Sequence, residues 1–240
     1  MKKLLQMLRD NASTERKPLN LIRGEDGDTA TLYIYDVIDA YWGVSAREVS
    51  QAIAGLGSDV TLHLRINTPG GDVFEARAIK AALDQHPGRV VAHIDGLCAS
   101  AGTTIACGAD EVEMVQGGFY MIHNAWTFAM GNKDDLRTTA NLLEKVDGAI
   151  VNDYAERTGK DVDQLVNWMN DETWFSADEA VEHGFVDRIA EAGQKAKASA
   201  WNLSVFDKTP KALLEKPAPE PDAAALMANN RRRLQLLSID

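Results

Sequence analysis

Three short segments hold the residues through which this chain could do covalent chemistry. Ser100 stands in Gly96-Leu97-Cys98-Ala99-Ser100-Ala101-Gly102, His123 in Met121-Ile122-His123-Asn124, and upstream runs Ile66-Asn67-Thr68-Pro69-Gly70-Gly71-Asp72. A serine hydroxyl becomes a useful nucleophile when a base such as imidazole takes its proton. The small neighbours of Ser100 leave the hydroxyl accessible and let a substrate carbonyl reach the next amide. At the first turn of a helix, unpaired N–H groups can face a developing oxyanion. The Pro-Gly-Gly turn can offer another amide, because glycine lets a ligand approach the backbone closely. Each segment alone also has an ordinary explanation: a strand-to-helix turn, a capping or packing serine, a half-buried histidine. The serine does not sit in a Gly-x-Ser-x-Gly elbow. His63 and His93 alternate within strands, His86 precedes Pro87-Gly88, and His183 lies near a helix end. These four read as structural or surface residues.

The elements that must position these segments are legible from periodicity. Thr31–Asp36, Val60–Asn67 and Arg89–Ile94 read as strands, with Glu111–Val115, Phe119–His123 and Phe185–Ile189 as shorter ones. Ser45 with Glu48, and Ser176 with Glu179, have the spacing of capping boxes that open helices. Asp72 caps a helix through Asp84, and Asp161–Met169 is a shorter helix. The small-residue stretch Gly96–Gly108 is expected to form a tightly packed helix. From Lys133 to about Thr158 runs a long helical pattern, with Leu136, Leu142, Leu143, Val146, Ile150 and Tyr154 roughly on one stripe. Strands alternating with helices imply an α/β architecture. Residues 1–27 read as a flexible N-terminal arm or edge element, 28–191 as the folded domain, and 192–240 as a Pro-containing linker and tail. Within that tail, Ala223–Leu237 has the pattern of a short amphipathic helix.

Charge and composition narrow the function classes. The net charge is −11. Residues 192–240 carry eight Lys/Arg and five Asp/Glu, a surplus of three positive charges that leaves −14 on the rest. An acidic chain is a poor partner for phosphate backbones, so no nucleic-acid binding is expected. Arg231–Arg233 is too small a patch to reverse that and reads as a solvated helix face. Cys98 and Cys107 are nine residues apart; in one helix they would be about 13–14 Å apart, too far for a disulfide. They read as reduced packers, in keeping with a cytoplasmic location. No cluster has metal-ligand spacing, and no cofactor is expected. No window approaches the ~20 apolar residues of a membrane helix, and Arg9 and Asp10 interrupt the N-terminal stretch too early for a signal peptide.

Taken together, the three segments resemble the ClpP-like serine peptidases, with their Pro-Gly-Gly turn, Ala-Ser-x-Gly nucleophile segment and Met-Ile-His base segment. The resemblance runs from about Thr31 to Ala190 and includes Ser176-Ala177-x-Glu179-Ala180 and Gly184-x-Val186-Asp187. It implies a ClpP/crotonase-type spiral of β-β-α units, with a long protruding helix, Asp134–Tyr154, used in ring assembly. It also implies Ser100 as nucleophile, His123 as base, and the N–H groups of Gly71 and Ala101 as oxyanion donors. The third triad member departs from the pattern. An aspartate is usual before Phe-x-Ser-Ala, and counting back without a gap reaches Glu172; a one-residue shift restores Asp171 as the alternative.

The setting follows from resemblance too. There is no Gly-x-x-x-x-Gly-Lys-Ser/Thr phosphate loop, so a housekeeping ClpP role would need an ATPase partner. The segment Tyr35–Val44 and the Pro-rich extension look more like ClpP-like head maturation proteases of tailed phages and prophages. Those clip capsid or scaffold precursors in the host cytoplasm. The implied partners are a protein or peptide substrate and further copies of the chain in a ring or stacked rings. Two alternatives share the sequence features: a crotonase-fold acyl-CoA enzyme, which needs no Ser–His pair, and a non-catalytic assembly protein.

Overall fold

The computed structural model describes residues 10–11, 19–191 and 201–214. They belong to two compact units, Met1–Thr209 and Pro210–Asp240. In the second unit the described residues hold one helical turn, Lys211–Leu214. The expected helix Ala223–Leu237 lies outside the described residues.

The first unit is built on a sheet of eight strands. In chain order these are β1 Leu21–Arg23, β2 Thr29–Ile34, β3 Thr61–Thr68, β4 Val90–Ala99, β5 Glu111–Met114, β6 Phe119–Ile122, β7 Thr173–Ser176 and β8 Arg188–Ile189. Its helices are α1 Ala46–Ile53, α2 Val73–Asp84, α3 Ala101–Ala106, α4 Lys133–Thr158, α5 Val162–Asn170 and α6 Ala177–Glu182. β1 is an antiparallel edge strand on β2, and it falls inside the stretch read from sequence as arm or edge element. From β2 the sheet continues in parallel through β3, β4, β5 and β8. This is the mixed α/β fold expected of a ClpP-like chain.

The core follows the two periodicities. Leu62, Leu64 and Ile66 alternate inward from β3 with no exposed surface, while His63 and Arg65 face the other way. Ala76, Ile79 and Leu83 form the buried face of α2. Asp72 caps that helix by accepting the N–H groups of Phe74 and Glu75. Ser176 and Glu179 make a complete capping box on α6.

One expectation needs correction. Gly96–Gly108 is not one helix: β4 runs through Ala99, and α3 occupies Ala101–Ala106 alone. Here pairing overrides the helical leaning of a small-residue run. The far half of β4 is held on both sides, Cys98 beside Thr68 of β3, and Leu97 to Ala99 beside Phe119 to Met121 of β6. The cysteines are therefore not on a common helix. Cys98 is within β4 and Cys107 follows α3, both unbridged, and burial raises both thiols, Cys107 to about 12. On α4 the apolar stripe is buried from Val146 onward, whereas Leu136 and Leu142 are 45% and 51% exposed.

Candidate active site

β4 forks. Its first half, Val91–Ile94, pairs with β5, and its second half, Leu97–Ala99, pairs with β6. Because β3, β4 and β6 run parallel, their carboxyl ends emerge along one edge, where α/β sheets characteristically place their ligands. Pro69-Gly70-Gly71 follows β3, Ser100 follows β4, and His123 follows β6. Three segments far apart in sequence are thus brought together by strand register.

Ser100 Oγ lies 2.7 Å from His123 Nε2. That is hydrogen-bond distance for a hydroxyl donating to a neutral imidazole whose proton is on Nδ1. The Ser100 amide donates to Met121 O at 2.9 Å, fixing the nucleophile against the strand that carries the base. Ser100 has φ 54 and ψ −125, a backbone conformation costly for a residue with a Cβ. The Ser100 carbonyl accepts from Thr103 Oγ1 at 2.6 Å, and that hydroxyl in turn bonds the buried Tyr154 hydroxyl. The loop after His123 is pinned as well. Ala125 N–H donates to Asp147 at 2.7 Å, and Asn124 Nδ2 to Asn170 Oδ1 at 2.7 Å.

The glycines allow the turn to lie against the serine. Gly70 has φ 94, and a Cβ on it would meet Ala99 O at 2.7 Å and Ser100 Cβ at 2.8 Å. Gly71 has φ 151, and a Cβ there would lie 2.1 Å from Ile38 O. Gly70 N–H is used by Thr68 Oγ1, and Gly71 is clasped by Ile38, which donates to Gly70 O and accepts from Asp72 N. In such a parallel bridge the amide of the central residue faces away from its partner. Among the described residues the N–H groups of Gly71 and Ala101 are not spent on protein acceptors, unlike those of Gly70 and Ser100.

The acid side is arranged differently. Asp171 ends α5 at the surface and meets Lys208 Nζ at 3.3 Å. Glu172 takes a left-handed conformation, φ 49. Its carboxylate accepts the amides of Asp207 at 2.9 Å and Lys208 at 2.7 Å, and Trp174 Nε1 at 3.1 Å. Among the described residues no carboxylate makes a hydrogen bond or ion pair with His123. Burial pushes the His123 imidazole down to about 4, opposed by the negative charge of Glu172. Glu172 therefore acts on the base through space, without touching it.

Sequence reasoning did not find Phe206. Its ring stands edge-on to His123, with centroids 5.4 Å apart, and to Trp174 at 5.8 Å. The signal was short: Trp201, Leu203, Val205 and Phe206 form a six-residue apolar patch inside a Lys- and Pro-containing tail, and Leu203 and Phe206 are buried. Phe206 forms one wall of a cleft of about 330 Å³ that holds Ser100, His123 and Gly71, with Trp126, Phe128 and Val146 among its apolar lining. The remaining histidines lie elsewhere. His63 bonds His93, which bonds Glu113; His86 bonds Val60 O; His183 stacks on Trp168.

Residues 43–193 match the Clp protease family. An ATP-dependent Clp protease proteolytic subunit 1 from Leifsonia xyli is 29% identical over 58% of this chain and 72% of its own length. The proteolytic subunit from Streptococcus sanguinis is 31% identical over 54% of this chain and 68% of its own length. Among solved structures, a ClpP1 mutant from Listeria monocytogenes superposes with a TM-score of 0.61 at 26% identity, covering 68% of this chain and 92% of that one. With more than half of its length matched, and with this fold, the chain belongs to the Clp protease family of serine peptidases.

Proposed function

We propose that the chain hydrolyses peptide bonds with Ser100 as nucleophile, His123 as general base, Gly71 and Ala101 N–H as the oxyanion site, and Glu172 as the third triad member. The observation that carries this reading is the 2.7 Å contact between Ser100 Oγ and His123 Nε2 at the mouth of an apolar cleft. Ser100 Oγ attacks the scissile carbonyl while its proton passes to Nε2. The resulting oxyanion is met by the two unspent amides. Collapse breaks the C–N bond, and the imidazolium returns the proton to the leaving amine. Water, deprotonated by the same imidazole, then cleaves the acyl-enzyme. Glu172 is favoured over Asp171 because its charge acts on His123, whereas Asp171 points to solvent and Lys208.

The finer assignment within the family is a head maturation protease acting on capsid or scaffold proteins. Its support is the resemblance of the segment Tyr35–Val44 and of the Pro-rich extension to such proteases. A second reading, a subunit working with an ATPase, is favoured by the ATP-dependent names of the relatives. Ring assembly through α4 is supported by the exposed Leu136 and Leu142 on its protruding half.

The test is fluorophosphonate labelling of the full chain followed by peptide mass spectrometry. A single adduct on the Ser100 peptide, lost in His123→Ala, is the expected result. A folded chain that stays unlabelled and does not turn over casein would overturn the assignment.

A further inference from the structure

Within the first unit, the segment Trp201–Thr209 is anchored at both of its ends. Asn202 exchanges hydrogen bonds with Asn11: Asn11 Nδ2 donates to Asn202 O at 2.8 Å, and Asn202 N–H to Asn11 Oδ1 at 2.5 Å. Its Nδ2 also donates to Asp10 at 2.9 Å. In between, Leu203 and Phe206 are buried, and Thr209 Oγ1 bonds the carbonyls of Leu203 and Phe206 to hold the turn. At the other end the Asp207 and Lys208 amides hold the Glu172 carboxylate. This is a formed structure that reaches the catalytic cleft from beyond the family match.

We infer that Trp201–Thr209 is an autoinhibitory strap, which keeps Glu172 from pairing with His123 and closes one side of the cleft with Phe206. Both oxygens of Glu172 are engaged, Oε2 by Asp207 N–H and Oε1 by Lys208 N–H and Trp174 Nε1, while the Nδ1 side of His123 gains no carboxylate. The Ser–His half of the triad is thus assembled while the His–acid half is not. An acid that fails to orient its imidazole forfeits orders of magnitude in rate. Lifting the strap frees two positions on Glu172 and removes the apolar ring from the imidazole. Both changes favour a His123–Glu172 bond and a more basic His123. Glu172 is the charged group that acts on His123 here; Asp39 and Asp72 also line the cleft.

This inference rests on the peptidase reading above, and the experiment separates the two. The full chain is compared with Phe206→Ala, which empties the contact on His123, and with Asn202→Ala, which loosens the strap at its tether away from the cleft. The measurement is the second-order rate of fluorophosphonate labelling at Ser100 as a function of pH. In both variants the strap predicts labelling faster by about tenfold or more. The sign of the pH effect also follows. The base must be neutral, so labelling falls as pH drops through the His123 pKa, near 4 with the strap in place. Release moves that midpoint upward, toward the ordinary 6.5. If the parent labels and both variants label no faster, with an unmoved midpoint, the strap is wrong. If neither parent nor variants label although folded, the peptidase assignment itself fails.

Discussion

The two halves of the candidate triad are held by different kinds of structure. Ser100 and His123 each sit at the first position beyond a strand, and the two strands are neighbours in parallel register, Ala99 beside Met121. Their meeting is fixed by main-chain pairing within a buried sheet. Glu172 instead follows a helix end in a left-handed conformation, and its carboxylate is placed by the backbone of a distant segment. Register fixes a side chain through many bonds that form or break together, whereas a side chain held by a few hydrogen bonds can exchange partners. The first half of the site is built to stay, and the second can move.

The sharpest way to break this comparison is at the serine. Ser100→Ala should lower turnover about 10⁴–10⁶-fold, with the loss read in casein or peptide hydrolysis. Folding, followed by thermal denaturation, should be retained, because β4 and β6 hold the position without the hydroxyl. Next in size is Glu172→Gln, expected to reduce kcat/KM about 10²–10⁴-fold once the strap is released, as in the Phe206→Ala background, and much less with the strap in place. Were Asp171→Asn to give that loss instead, the acid would be misassigned. Gly71→Ala should lower kcat about 10²–10³-fold by disturbing an oxyanion donor. It should also lower the melting temperature, since the new methyl would drive Ile38 O away. Tyr154→Phe should cost about 1 kcal/mol of stability in denaturant unfolding, the usual worth of one buried hydrogen bond, with turnover falling only a few-fold through the Thr103 link. Smallest of all, Asp171→Asn breaks a solvent-exposed contact with Lys208 and should change stability by less than about 0.5 kcal/mol.

The same division explains what the sequence revealed. Strand patterns placed β3, β6 and the first half of β4, while the half that leads to Ser100 was read as helix; the three motifs carried the resemblance, so the candidate nucleophile, base and glycine turn were legible together. The acid could be narrowed only to Asp171 or Glu172, because the choice depends on a positive φ at one residue and on amides 35 or more positions away. Phe206 was hidden for a similar reason. Composition marked residues 192–240 as a tail, and the short apolar patch Trp201–Phe206 was too brief to announce a packed segment. The helix expected over Gly96–Gly108 failed where local preference met strand pairing on both sides.

The backbone at position 100 has a consequence for how such a chain drifts over generations. A φ of 54 with ψ −125 suits glycine better than any residue carrying a Cβ. Ser100→Gly should therefore yield a protein that is inert yet harder to melt than Ser100→Ala. Thermal robustness and hydrolytic power pull in opposite directions at this one residue. A lineage released from the need to cut would be expected to abandon its serine for glycine early.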